Sequence, residues 1–135
     1  MAIQFDVTTR NARADATETS IGTSPVLKFR TGSPPANVAA AATGTVLATL
    51  TLPSNWMDAA SGGVKSKNGS WTDAAADADG TVGHFEITQS DGTTRRMQGT
   101  VTAADGGGDM TVSNVVFVTG QPVEVLTFTL TEGNG

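Results

Sequence analysis

The stretch Val82-Gly-His-Phe-Glu-Ile-Thr-Gln89, the turn Ser90-Asp-Gly-Thr93 and the stretch Thr94-Arg-Arg-Met-Gln-Gly-Thr-Val-Thr102 follow one another without a break. Two runs carrying β-branched and aromatic residues flank an Asp-Gly turn signal, which reads as a β-hairpin. The same punctuation recurs on both sides of it. Upstream, Val26-Leu-Lys-Phe-Arg-Thr31 is a short strand ended by Gly32-Ser-Pro-Pro35, because proline cannot donate to a ladder. Residues 38–43 read as an Ala-rich loop or turn of helix. Residues 45–52 then place Val46, Ala48, Leu50 and Leu52 on one face at period two, and Pro53 ends the run. Residues 63–67 and 70–72 flank Asn68-Gly69, the dipeptide best suited to the positive-φ positions of a type I′ turn, which predicts a second hairpin. Downstream, residues 109–113 and 115–119 are short strands after the loop Ala104-Asp-Gly-Gly-Gly108. Residues 123–130 form a long last strand, whose alternation slips at Leu126-Thr127 and marks a bulge there.

Only one segment reads as helix. Residues 8–20 contain no Gly or Pro, Asp6 or Thr8 can cap the start, and Gly22 with Pro25 supplies the stop. Its apolar side is thin, with Val7, Ala14 and Ile21 seven apart, so it needs a neighbour to lie against. About seven to nine short strands with regular turn signals predict a mainly β fold, a single-domain β-sandwich, jelly roll or small barrel with one short N-terminal helix. Residues 1–24 form an N-terminal arm and helix, and residues 25–135 the β domain, as one folding unit. The expected core is Leu27, Phe29, Leu47 or Leu50, Leu52, Trp71, Phe85, Ile87, Val101, Val112, Phe117, Val125, Phe128 and Leu130.

Composition narrows the function. At 135 residues the chain is one domain, able to fold without staples, and surface scaling gives a folded area of roughly 6,600 Å². With no Cys there is no disulfide framework, thiol nucleophile or Cys-ligated metal. Eight Lys plus Arg against thirteen Asp plus Glu leave no basic footprint for nucleic acid. The longest apolar stretch, Val38 to Ala42, is far short of the ~20 residues a membrane span needs. Met1-Ala-Ile-Gln-Phe-Asp6 has neither the basic start nor the apolar core of a signal peptide, so the chain is expected to be cytoplasmic where it is made.

The residues with potential chemistry read as structural. His84 is the only histidine and sits in a predicted strand with no nucleophile signature nearby. The loop from Asp73 to Gly80 puts Asp77, Asp79, Gly80 and Glu86 on positions three, five, six and twelve of a calcium-loop pattern, but Ala75 stands where the first ligand belongs. A solvated Asp-Gly turn is the expected role, and the same holds for Asp105 and Asp109 around the triple glycine. Glu86 and Glu124 lie in separate strands, each expected on a polar face, so a glycosidase pair is not the reading. Trp56 and Trp71 are either a sugar-stacking platform or, as is more common, core anchors. No cofactor, metal or catalytic residue is expected.

Several phrases carry a resemblance along the whole chain: Arg10-Asn-Ala-Arg-Ala-Asp-Ala16, Ile21-Gly-Thr-Ser-Pro-Val-Leu27, Leu52-Pro-Ser-Asn-Trp-Met57, Gly83-His-Phe-Glu-Ile87, Met97-Gln-Gly-Thr-Val101, Gly108-Asp-Met-Thr-Val112 and Gly120-Gln-Pro-Val123 with Phe128-Thr-Leu-Thr131. The chain resembles the small virion structural proteins of tailed phages and prophages of proteobacteria. The resemblance implies a non-enzymatic virion component, foremost a capsid decoration (cement) protein on the capsid surface. Its partners would be the major capsid protein and other copies of itself, a trimer by preference, with no direct contact to DNA or membrane. A tail or fibre-associated protein and a carbohydrate-binding module are the alternatives. Ile3, Phe5, Arg10 and Arg13 are the expected intersubunit or capsid-facing residues, unless Ile3 and Phe5 form an edge strand of their own domain.

Overall fold

The computed structural model describes residues 3–132. The fold is mainly β, with helix α1 (Val7–Ile21) followed by nine strands: β1 (Val26–Thr31), β2 (Val46–Thr51), β3 (Val64–Ser66), β4 (Thr72–Asp73), β5 (Gly80–Thr88), β6 (Arg95–Ala103), β7 (Met110–Val112), β8 (Val116–Phe117) and β9 (Val123–Thr131). They form one mixed sheet with the path β2-β1-β5-β6-β7-β9-β3, while β4 also pairs with β9 and β8 with β5. All pairings are antiparallel except β6 with β7.

The sheet curls until its two ends meet. On a flat sheet β5 and β9, three steps apart along the path, would be separated by about 14 Å. Instead the rings of Phe85 on β5 and Phe128 on β9 meet edge to face, their centroids 5.7 Å apart. At the seam, Thr49 of β2 donates its N–H to Asp73 Oδ2 at 3.1 Å, and Asp77 donates its N–H to the Leu47 carbonyl at 2.7 Å. The layered core expected of a sandwich or jelly roll is thus built by one sheet facing itself. Leu27, Phe29, Leu47, Leu50, Leu52, Trp71, Phe85, Ile87, Val101, Val112, Phe117, Val125 and Phe128 are all buried in it, with Leu130 partly buried at its margin. The accessible surface of 6726 Å² matches the area expected for a monomeric domain of this mass, so the core is closed within one chain.

Helix α1 runs one residue further at each end than its sequence signals predict. Asp6 is the cap, its side chain accepting from the Thr9 N–H, and Gly22 closes the other end at φ 93° with its N–H on the Glu18 carbonyl. Ala14 and Ile21 are buried and Val7 is exposed, so the helix contributes little apolar area. An ion pair compensates: Lys65 of β3, 2% exposed, reaches Asp15 at 2.6 Å and Glu18 at 2.7 Å on the helix.

The predicted bulge in the last strand is present. Thr111 faces Thr127 and Val112 faces Val125, leaving Leu126 as the extra residue, turned outward. The predicted hairpin at Asn68-Gly69 is not. β3 and β4 do not pair with each other but lie one after the other along the same edge of β9, with Val64 opposite Thr131 and Thr72 opposite Glu124. Two strands of three and two residues gain more from a nine-residue edge than from each other. Gly69, at φ 73°, lets the chain step out between them, and Trp71 is pinned inward by its indole N–H on the Asn68 carbonyl at 3.1 Å.

Because Phe128 holds the curl closed and Leu126 faces out, the two should respond oppositely to truncation. Phe128→Ala is expected to cost about 3–5 kcal/mol in chemical denaturation, and Leu126→Ala less than about 0.5 kcal/mol. Similar costs for the two would contradict the assigned register.

Candidate functional site

Strand β5 is buried on both faces. Phe85 and Ile87 enter the core, while His84, Glu86 and Thr88 on the other face are also buried. Residues 32–45 form the cover over that second face. Gln98 Nε2–H donates to the Pro35 carbonyl at 2.8 Å, Arg95 donates to the Ala40 carbonyl, and Arg30 Nη1–H donates to the Gly44 carbonyl at 3.3 Å. Gly83 permits the close approach of this segment, since a Cβ there would lie 2.2 Å from the Gly32 carbonyl oxygen.

Beneath this cover the ionisable groups are paired, while Gln98 Oε1 is buried without a partner. Glu86, only 3% exposed, accepts from Arg30 Nε–H at 2.5 Å, and Arg95 Nε lies 3.5 Å from its second oxygen. The expectation that Glu86 sits on a solvated polar face is therefore overturned: one buried carboxylate is held between two guanidiniums. Glu124 is exposed on β9, opposite Thr72, and is not part of this cluster. His84 is 1% exposed and donates its Nδ1–H to the Gly32 carbonyl at 2.8 Å, which fixes its tautomer and gives it the structural role expected.

The acidic segment stitches the seam. Asp73 accepts from the amides of Thr49 and Ala75, Asp77 from the Thr49 hydroxyl, and Asp79 from the amide and hydroxyl of Thr119. These donors lower the carboxyl pKa of Asp79, the Thr119 amide first. Among the described residues, no group of three or more His, Asp or Glu is placed to hold a metal ion. Asp109 likewise accepts from the amide and hydroxyl of Thr100. Trp56 and Trp71 are both fully buried with tilted rings 5.9 Å apart, so no indole face is offered to a sugar. Trp56 anchors the helix end by donating its indole N–H to the Gly22 carbonyl at 3.0 Å.

Clefts open on the surface formed by the described residues, and two bear on the residues above. One of about 560 Å³ lies beneath helix α1 and contains Asp15, Glu18 and Lys65, whose charges are spent on one another. Burial opposes the charge on Lys65, but the two carboxylates outweigh it and raise its pKa. The other, of about 440 Å³, lies between β6 and β9 over Phe85, Met97, Phe128 and Leu130.

The four residues expected at an interface divide. Ile3 is 75% exposed and lies in no strand, which removes the edge-strand reading of the arm within this chain. Phe5 lies against Arg13, whose guanidinium carbon is 5.0 Å from the ring centroid, and Arg13 also pairs with Glu132 at 3.2 Å. Arg10 is half-buried against Gly63, where its Nε is buried with no acceptor. Arg10 therefore packs the helix onto the sheet, while Ile3 and Val7 face outward.

Removing the buried carboxylate between two partly buried guanidiniums leaves uncompensated charge, so Glu86→Ala is expected to cost about 2–4 kcal/mol in denaturant melts. Glu124→Ala should change stability by less than about 0.5 kcal/mol; equal effects would contradict the ion-pair layer. In the β5–β6 turn, the Thr94 hydroxyl, the Thr94 amide and the Thr93 amide hold the Asp91 carboxyl at about 2, below its ordinary 3.8. A depressed folded pKa contributes stability above the unfolded value that is lost as pH falls toward 2. Asp91→Asn is therefore expected to reduce the loss of stability between about pH 4 and 2, and an unchanged pH profile would contradict the assigned contacts. Compared with known protein families, curated proteins and solved structures, the chain matches none.

Proposed function

We propose that this chain is a non-enzymatic structural protein of a tailed-phage virion, a capsid decoration (cement) protein that binds the outer capsid lattice as a homo-oligomer, a trimer by preference. The observation that carries the reading is an exposed apolar set, Ile3 and Val7, at the start of a domain whose core is already closed. Apolar side chains grouped on the surface of a finished domain favour contact with another molecule. Two further features support it. His84, Glu86, Asp73, Asp77 and Asp79, which invited catalytic or metal readings, are held in structural pairs. The phrases on which the resemblance to small virion proteins rests fall on the helix, on strands and in connecting segments, Leu52 to Met57 among the last.

The mechanism follows from repetition. A β domain rigidified by its ion-pair layer would bridge neighbouring capsid subunits, adding contacts that oppose expansion by packaged DNA. Individually weak contacts suffice because they recur at every symmetry-related position. A net charge of -5 suits an outer shell that touches no DNA and keeps particles apart. Capsids lacking this protein are expected to release their DNA at a lower temperature and after milder osmotic shock than complete ones. Equal DNA retention with and without it would remove the stabilising role.

A further inference from the structure

The curled sheet contains a lane that no strand among the described residues fills. Strand β7 is three residues long, whereas β6 and β9 on either side of it are nine residues each. Met110, the first residue of β7, faces Val101 and Phe128 at once. Upstream of it the two rims continue, β6 back to Arg95 and β9 on to Thr131, but the chain between them turns away, with Gly108 N–H donating to Thr102 Oγ1 at 2.9 Å. Asp109 closes the lane at its base, accepting from the Thr100 amide. The gap is therefore one strand wide, about 9–10 Å between rims.

Both rims present backbone groups to this gap. The Thr100 amide points toward β7, so by the period of two Gln98 directs its N–H and C=O to the same side. On β9, the Phe128 carbonyl and the Glu132 amide point to the opposite edge, where Lys67 N–H and the Gly63 carbonyl meet them. Thr129 and Thr131 therefore face the lane; the Met110–Phe128 pairing ties the Thr129 amide to the Asp109 carbonyl, and beyond it no ladder among the described residues pairs Thr131 on that side. Gln98, Thr129 and Thr131 line the cleft, with the apolar side chains of Phe85, Met97, Phe128 and Leu130 beneath. Unpaired edges over an apolar floor are the geometry of strand addition.

We infer that this lane receives the N-terminal arm of a second copy of the chain as an added strand. The arm has the required pattern: Ile3, Phe5 and Val7 alternate with Gln4 and Asp6, apolar on one face and polar on the other. Its length fits, since residues 3–5 span about 10 Å when extended, the same run as the β9 rim from Thr129 to Thr131. Charge fits as well, because Asp6 is the arm's one charged side chain and the exposed Arg96 stands on the β6 rim. Within its own chain the arm makes no ladder, lying with Phe5 against Arg13 and Asp6 on the helix cap. Donation from each copy to the next is a head-to-tail contact, which closes into a ring when the rotation permits. This inference stands on the sheet geometry and not on the virion reading, so each can fail without the other.

Hydrogen exchange of the purified protein at increasing concentration tests it, alongside sedimentation. While the Thr129 amide, already bonded to Asp109, stays protected throughout, the amides of Gln98 and Thr131 are expected to exchange at least about tenfold more slowly as oligomer forms. The substitution Ile3→Asp, at an exposed position that leaves the core untouched, should return them to fast exchange and the protein to monomer. Exchange that is equal at all concentrations and in both proteins would overturn the inference. Protection independent of concentration would assign the lane to the chain's own arm, and protection only in the presence of another protein would assign it to that partner; either result overturns donation between copies.

Discussion

Strand β5 has to be satisfied on two faces at once, and most of the architecture follows from that constraint. Its inner face, Phe85 and Ile87, closes the core against Phe128 and its neighbours. Its outer face carries Glu86 and His84, which burial would make costly without partners. The partners come from both flanking strands, Arg30 of β1 and Arg95 of β6, and from the cover over residues 32–45. A long segment without regular structure is thereby fixed in place by the polar groups it covers. The result is a small domain with two layers of order, one apolar and one ionic, around a single central strand.

The same economy governs the rest of the polar inventory. Lys65 holds the thin helix, Asp73 and Asp77 hold the seam, and Asp79 holds the segment near Thr119. Groups that in another fold would be general bases or metal ligands are here donors and acceptors in structural pairs. The surface also offers backbone edge and apolar side chain, the materials of association.

Much of this was legible in the sequence because the signals were local. The Asp-Gly turn between β5 and β6, the Gly22 stop of the helix and the slip at Leu126 are each written within a few residues, and each is found in place. The Asn68-Gly69 signal was equally clear and misled, because a turn signal states that the chain can reverse, not that its flanks outcompete a nine-residue edge. The burial of Glu86 was invisible for a different reason. Its partner Arg30 lies 56 residues away in the chain, and the Pro-Pro and Ala-rich stretch that covers them carries no periodicity. A signal existed in the run His84-Phe-Glu-Ile-Thr88, where polar residues alternate with core residues in the middle of a predicted sheet. The unfilled lane depends on β7 being six residues shorter than its neighbours, a relation between strands that no single strand displays.

A domain whose buried charges are paired internally and whose arm and edge face outward is suited to repetition over a lattice. The most direct measurement of that account is the number of copies of this protein in a purified virion, by quantitative mass spectrometry of separated heads and tails. The account predicts hundreds of copies that stay with the head. A handful of copies, or copies that follow the tail, would contradict it.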